Sequence, residues 1–143
     1  MSNGQQLLQP HLKAFGRLIG RWQISGDAFG QTRYEVVSGG HFILQHFEVK
    51  HGKRENKGLE VIGRLHGFGA VPSPDIHSRA YCFPDGMTLD YIYEIEGGTL
   101  TIWGGNKGSP AYYKGAFSGD NRKLIGSWTY PGGGYSTVST RVD

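Results

Sequence analysis

The hydrophobic and polar positions of the chain follow two periods, and the change between them falls at Gly20. Before Gly20, apolar residues step by four, three and four, the spacing that lines one face of a helix. These residues are Leu8, Leu12, Phe15 and Ile19. Pro10 suits the first turn of such a helix and Gly20 suits its end. The pattern predicts one short N-terminal helix that needs another surface to pack on.

After Gly20 the period changes to two, which is typical of strands with one buried face. The predicted strands cover residues 21–27, 31–38, 41–50, 57–67, 76–83, 88–95, 99–104, 110–117, 123–130 and 134–142. Segments with turn chemistry separate them, among them SGG, PDG, EGG and PGGG. Because most links are short, strands that follow one another should pair antiparallel.

About ten strands in one small sheet favour closure of that sheet, because closure removes the exposed edges. The sequence therefore predicts an all-β fold: an antiparallel up-and-down barrel of about ten strands, plugged at one end by the helix. Residues 1–143 form a single domain in this interpretation, as their number suggests. A two-sheet sandwich is the alternative. The longer link GFGAVPSPD is either a flap over one mouth of the barrel or a plain connector.

The stretch at residues 39–68 reads as two strands joined by a basic turn. Alternate positions on these strands belong to opposite faces, and the more apolar face is expected to point inward. That face holds Phe42, Leu44, His46, Glu48, Leu59, Val61, Gly63 and Leu65. On this interpretation His46 and Glu48 point into the barrel or to its rim. Phe47, on the opposite face, points outward.

The same alternation predicts aromatic side chains on the inner face of the later strands. The candidate ligand-binding residues are His46, Glu48, Tyr91, Tyr93, Tyr113 and Trp128. An apolar and aromatic lining with a few polar tips is typical of a small-molecule pocket. It is also typical of a small barrel filled by its own side chains. The sequence leaves both interpretations open.

Three classes of function fit this constellation. A binder would use the polar groups to anchor one end of a small apolar or amphipathic molecule. An enzyme of the isomerase, cyclase or dehydratase type would use His46, oriented by Glu48, as its general acid or base. A filled barrel would serve as a structural or interaction module, with Trp103 and Phe47 as exposed anchors and a homodimer as one form.

Composition narrows the remaining choices. The net charge is only +3, and the basic residues cluster in one turn that also contains an acid, so nucleic-acid binding is not expected. The single cysteine, Cys82, cannot form an internal disulfide, and no signal peptide or membrane span is apparent. We therefore expect a cytoplasmic protein. The six histidines show no convergent spacing, so neither a metal nor another cofactor is expected.

Short motifs in this order and spacing resemble a bacterial family of lipocalin-like, calycin-type domains. The motifs are Leu18, Gly20 and Trp22, then Gly39, Gly40 and Phe42, and later Gly126 and Trp128. The resemblance implies a ligand-holding barrel in which Trp22 closes the base and Arg141 stacks on it. Haem-binding barrels of the nitrobindin type are similar in their opening but use a late histidine. Here the last histidine is His77, so no haem ligand is expected at that place.

Overall fold

Within residues 7–143, which the computed structural model describes, the chain forms one short helix and ten strands. The helix spans Pro10–Leu18. The strands are β1 (Gly20–Gly26), β2 (Phe29–Val36), β3 (Phe42–His51), β4 (Arg54–Gly63), β5 (Ile76–Cys82), β6 (Thr88–Glu96), β7 (Thr99–Gly104), β8 (Tyr112–Phe117), β9 (Lys123–Tyr130) and β10 (Gly133–Arg141). Each predicted strand is present, and most ends agree within three residues.

The strands close into one antiparallel barrel in which every strand pairs with its neighbours in the sequence. β1 and β10 complete the ring, with Trp22 opposite Arg141 at one end of their ladder. The predicted up-and-down barrel is confirmed, and the sandwich alternative is wrong. Closure leaves no free sheet edge among these strands, which removes the surface on which another chain could add a strand.

The helix plugs one end of the barrel, and its winding is of the 3₁₀ type. Its buried side chains are Leu12, Phe15 and Leu18, three residues apart. A 3₁₀ helix has three residues per turn, so side chains at this spacing lie on one edge. The buried face predicted with α-helical spacing is therefore only partly correct: it included Leu12 and Phe15 but not Leu18. Ile19 follows the helix in extended backbone and, like Leu8, packs against the core only partly buried.

Trp22 and Arg141 close the base of the barrel beside the helix. The guanidinium of Arg141 lies 4.3 Å from the centre of the Trp22 ring, and the indole nitrogen donates to the carbonyl oxygen of Leu18 at 2.8 Å. Arg141 also donates to the carbonyl oxygens of Ile19 and Arg17, each at 2.5 Å. The stack implied by the resemblance is confirmed, and its role here is structural.

Gly20 is required by this arrangement. Its φ of +125° lies in the region that side chains rarely adopt, and a Cβ there would stand 2.4 Å from Nη1 of Arg141. The Leu-x-Gly-x-Trp motif thus describes how the plug is assembled. It carries no information about a ligand.

The faces of β3 and β4 are the reverse of the prediction. Two residues, Gly52 and Lys53, make the turn, with His51 opposite Arg54. The residues were grouped correctly, but the inward group is the other one and includes Ile43, Gln45, Phe47, Glu60 and Ile62. The inner face looked too polar to be buried because it holds Gln45 and Glu60. Within the barrel these two side chains form a hydrogen bond with each other. Hydrophobic contrast between faces fails as a guide where polar groups are paired inside.

The link between β4 and β5 lies at the plugged end, because successive loops of a meander alternate between the two ends. Pro74 and Asp75 share a small surface depression with His11 and Phe15 of the helical segment. The link is therefore a connector beside the plug, and it does not cover the open mouth of the cavity. Its side chains Phe68 and Val71 are exposed.

Candidate functional site: the barrel cavity

Above the plug the barrel encloses a cavity of about 610 Å³ that is lined by residues of all ten strands. Ligand pockets have volumes of about 300–1,000 Å³, so this space is of the size that holds a small molecule. The choice that the sequence left open, between a filled and a hollow interior, is resolved in favour of a hollow upper half. The lower half is solid, since Ile43, Ile62 and Ile76 pack there against the helix and Trp22.

Aromatic side chains form much of the cavity wall. Tyr91 and Trp128 have ring centres 5.9 Å apart, and Tyr113 lies 5.6 Å from Trp128 on the other side. Tyr93 and Phe47 also line the space. The inward orientation predicted for Tyr91, Tyr93, Tyr113 and Trp128 is confirmed, whereas Phe47, predicted outside, lies inside. Their role in binding a ligand stays a prediction.

The end of the Tyr113 side chain lies close to the backbone of two glycines that pair across neighbouring strands. A Cβ at either Gly115 or Gly126 would stand 2.5 Å from its hydroxyl oxygen, and Gly115 pairs with Gly126 across β8 and β9. The Gly-x-Trp motif at residues 126–128 therefore places Tyr113 and Trp128 together on the wall. Burial raises the pKa values of Tyr91 and Tyr113, so both phenols stay protonated.

A chain of hydrogen bonds crosses five neighbouring strands at the floor of the cavity, and we call it the polar belt. Its members are Thr32, Gln45, Glu60, Ser78 and Tyr93. Thr32 donates to the amide oxygen of Gln45 at 2.7 Å, and the Gln45 amide nitrogen donates to Oε1 of Glu60. Ser78 donates to Oε2 of Glu60 at 2.6 Å, and Tyr93 donates to Oε1 at 2.7 Å. All of these bonds run toward one carboxyl group.

Glu60 is thus the centre of the belt, and it is only 3% exposed. Burial raises the pKa of its carboxyl group above the usual value, and the three hydrogen bonds offset only part of that effect. Among residues 7–143, no lysine, arginine or histidine forms an ion pair with it. A buried carboxyl group without a counter-ion is costly to ionise, so its retention inside an aromatic cavity needs a reason.

Glu60, Gln45 and Thr32 were not among the site residues predicted from the sequence. One signal was present: the predicted hairpin places Gln45 and Glu60 on the same face, and in the structure they lie directly opposite one another, where an amide and a carboxyl group form a hydrogen-bonded pair. Had the pair been recognised as self-satisfying, the face that holds it would have been a candidate for the interior.

His46 and Glu48 lie on the outer face of the barrel, so their predicted inward orientation is wrong. Nε2 of His46 contacts Oε2 of Glu35 at 2.9 Å, and Glu48 pairs with Lys57 at 3.3 Å. The side chain of Glu48 is 47% exposed. Neither residue lines the cavity. The two side chains therefore share no enclosed space in which they could act together on a substrate as acid and base.

The open end of the cavity carries its remaining polar groups. His51 stacks on Tyr135 with ring centres 3.9 Å apart, and Arg54 lies 3.9 Å from Asp85 at the rim. Cys82 is buried in the same wall, and burial raises the pKa of its thiol, which makes it a poor nucleophile. Trp103 lies outside the cavity, as predicted, with the Lys107 ammonium 5.7 Å from its ring.

Comparisons with known proteins do not extend these observations. No protein-family model and no curated protein matches the chain. A closed antiparallel barrel of ten strands is compatible with the lipocalin-like resemblance of the sequence. In the part of the chain that the structure describes, no helix is long and apolar enough to cross a bilayer. Within the same residues, no three His, Cys, Asp or Glu side chains are grouped to hold a metal ion.

Proposed function

We propose that the protein binds a small apolar or amphipathic molecule inside the barrel. The observation that carries this proposal is the cavity of about 610 Å³, open at the end opposite the helix. Its aromatic walls supply apolar area, and its few polar groups supply orientation. On the resemblance of the sequence, we extend the proposal to a bacterial lipocalin-like domain that acts in the cytoplasm.

The division of the barrel supports a binding role. The plugged half holds the packed core, so the upper half is free to stay hollow without loss of the fold. Burial of an apolar surface of a ligand against these walls contributes about 25 cal/mol per Å². Tyr91 and Tyr113 both line this space, and burial raises the pKa of each phenol, so each keeps a proton that it can donate. They are suited to meet polar atoms of a ligand.

The test fills the cavity and compares it with a matched outer position. Ala80 lines the cavity on β5, and Ala116 is exposed on the outer face of β8. Binding of the neutral fluorophore N-phenyl-1-naphthylamine is titrated for wild type, Ala80→Phe and Ala116→Phe. We expect Ala80→Phe to weaken binding about tenfold or more, equivalent to about 1.4 kcal/mol or more, and Ala116→Phe to leave it unchanged.

Native mass spectrometry of freshly purified protein adds an independent measurement, since a co-purifying mass released by denaturation identifies the ligand directly. Equal affinity of the two variants for the fluorophore would contradict binding inside the barrel. Thermal melts of both variants check that the phenylalanines leave the fold intact. No affinity of the wild-type protein for the fluorophore, together with a bare protein mass, would overturn the proposal.

A further inference from the structure

We propose that the ligand of this cavity is cationic: an apolar body with a protonated or quaternary amine that lies against Glu60. This inference rests on the proposed function, since it names the chemical class of molecule that the barrel binds. It is carried by three features of the cavity, namely its charge distribution, an acceptor position left open on Glu60, and the aromatic side chains nearby.

The charges on the cavity wall are placed asymmetrically. Among the wall residues that the structure describes, Glu60 is the single acid, and it lies at the floor. Arg54 is the single lysine or arginine in that wall; its side chain is 70% exposed at the rim and lies near Asp85. The deep part of the cavity therefore holds one carboxyl group and no cation. An ammonium group at the floor supplies the counter-ion that the protein itself does not.

Glu60 has an acceptor position to offer. An ionised carboxylate has about four lone-pair positions, two on each oxygen. Gln45 and Tyr93 occupy Oε1, whereas Oε2 receives only Ser78. The fourth position is left on Oε2. Because the three donors already hold the carboxyl group rigidly, a ligand meets a positioned acceptor and orders few side chains on binding.

The groups around the floor also favour a cation over an anion. Tyr91, Tyr93 and Trp128 line the space, and the face of an aromatic ring attracts an ammonium group within about 6 Å. Tyr34 and Tyr93 face Glu60 and remain neutral, since burial raises their pKa values. A carboxylate or phosphate at this place would meet Glu60 as a like charge with no compensating cation.

The experiment compares three ligands that share one alkyl chain: octylammonium, octanol and octanoate. Calorimetric titration at neutral pH gives the affinity of each for wild type, Glu60→Gln and Glu48→Gln. Glu60→Gln keeps the shape of the side chain and cannot ionise to pair with an ammonium group. Glu48→Gln makes the same substitution on the outer face, where the side chain pairs with Lys57, and so controls for the overall field of the protein.

We expect wild type to bind octylammonium at least tenfold more tightly than octanol, and octanoate most weakly. Glu60→Gln should bring octylammonium to within about threefold of octanol, while Glu48→Gln should keep the wild-type preference. Octanol affinity should be similar in all three proteins, which reports that the cavity is intact. Octyltrimethylammonium carries the same positive charge but cannot donate a hydrogen bond. It should therefore still bind wild type more tightly than octanol does, by the part of the difference that comes from charge.

Two results would overturn the inference. Wild type binding octanol or octanoate as tightly as octylammonium would refute it without any variant, even if Glu60→Gln failed to fold. An unchanged amine preference in folded Glu60→Gln would refute the role of this carboxyl group. Failure of all these ligands together with the neutral naphthylamine fluorophore would instead overturn the proposed function, so the two failures are distinguishable.

Discussion

Replacing Arg141 by alanine tests whether the plug of the barrel carries a large share of its stability. The side chain stacks on Trp22 at 4.3 Å and donates to three backbone carbonyl oxygens, at 2.5, 2.5 and 3.2 Å. Hydrogen bonds from a charged donor contribute about 1.5–3 kcal/mol each, and the stack contributes about 0.5–2 kcal/mol. These contributions overlap, and water regains part of the exposed carbonyls. We therefore expect a loss of about 2–4 kcal/mol in the free energy of unfolding.

Urea unfolding followed by tryptophan fluorescence measures this loss. For a domain of this size the dependence on urea is roughly 1.5–2 kcal/mol per M, so the midpoint should fall by about 1–3 M with the slope of the transition unchanged. Arg141→Lys should lie between the two proteins, because an ammonium keeps the charge but not the planar fork of donors.

Arg33→Ala is the matched control. Arg33 pairs with Glu35 at 2.6 Å on the outer surface, where such a pair contributes at most about 1 kcal/mol. If Arg141→Ala costs no more than Arg33→Ala, the stack and the carbonyl bonds at the base are not what holds the plug. The reasoning that assigns the Trp22 motif a structural role would then be refuted.

Three other outcomes follow from the geometry. Gly126→Ala should cost about 1–3 kcal/mol in urea unfolding, because its Cβ would meet the Tyr113 hydroxyl at 2.5 Å, whereas Gly119→Ala, with no atom within 4 Å, should be near neutral. His46→Ala should leave fluorophore affinity within about twofold, since the side chain lies outside the cavity; a larger loss would contradict the assigned faces. The raised pKa of Glu60 means that the folded state keeps its proton as pH rises above 4.5, while the unfolded state loses it. The free energy of unfolding of wild type should therefore fall relative to that of Glu60→Gln from pH 4.5 upward, until the carboxyl group ionises in the folded state. Urea unfolding at a series of pH values measures both. If the two free energies change with pH in parallel, the pKa of Glu60 is not raised.

Most of the fold could be predicted because its determinants are local. Alternation with a period of two and turns rich in glycine mark ten strands, and short links force neighbouring strands to pair. Closure then follows from the number of strands. The winding of the helix could not be predicted in the same way, because the choice between three and 3.6 residues per turn depends on how Leu12, Phe15 and Leu18 meet the barrel end.

The candidate site was predicted in part for a related reason. Tyr91 and Trp128 lie on strands with clear alternation, so their inward direction could be inferred from the sequence. Glu60 could not, because its place inside depends on hydrogen-bond partners from three other strands: Gln45, Ser78 and Tyr93. Hydrogen bonds between side chains of different strands leave no periodic trace in the chain. The same bonds made the polar face of β3 and β4 the inner one.

The polar belt also divides the barrel into two regions in which substitutions have different effects. Below it, Ile43, Ile62 and Ile76 pack against the plug, so substitutions there change stability. Above it, side chains border empty space, where a change of size alters the shape of the cavity more than the packing of the core. A barrel divided in this way can acquire new ligands through its upper half while its lower half keeps the fold. The same division marks the upper wall as the place to redesign, with the belt as the lowest layer to leave unchanged.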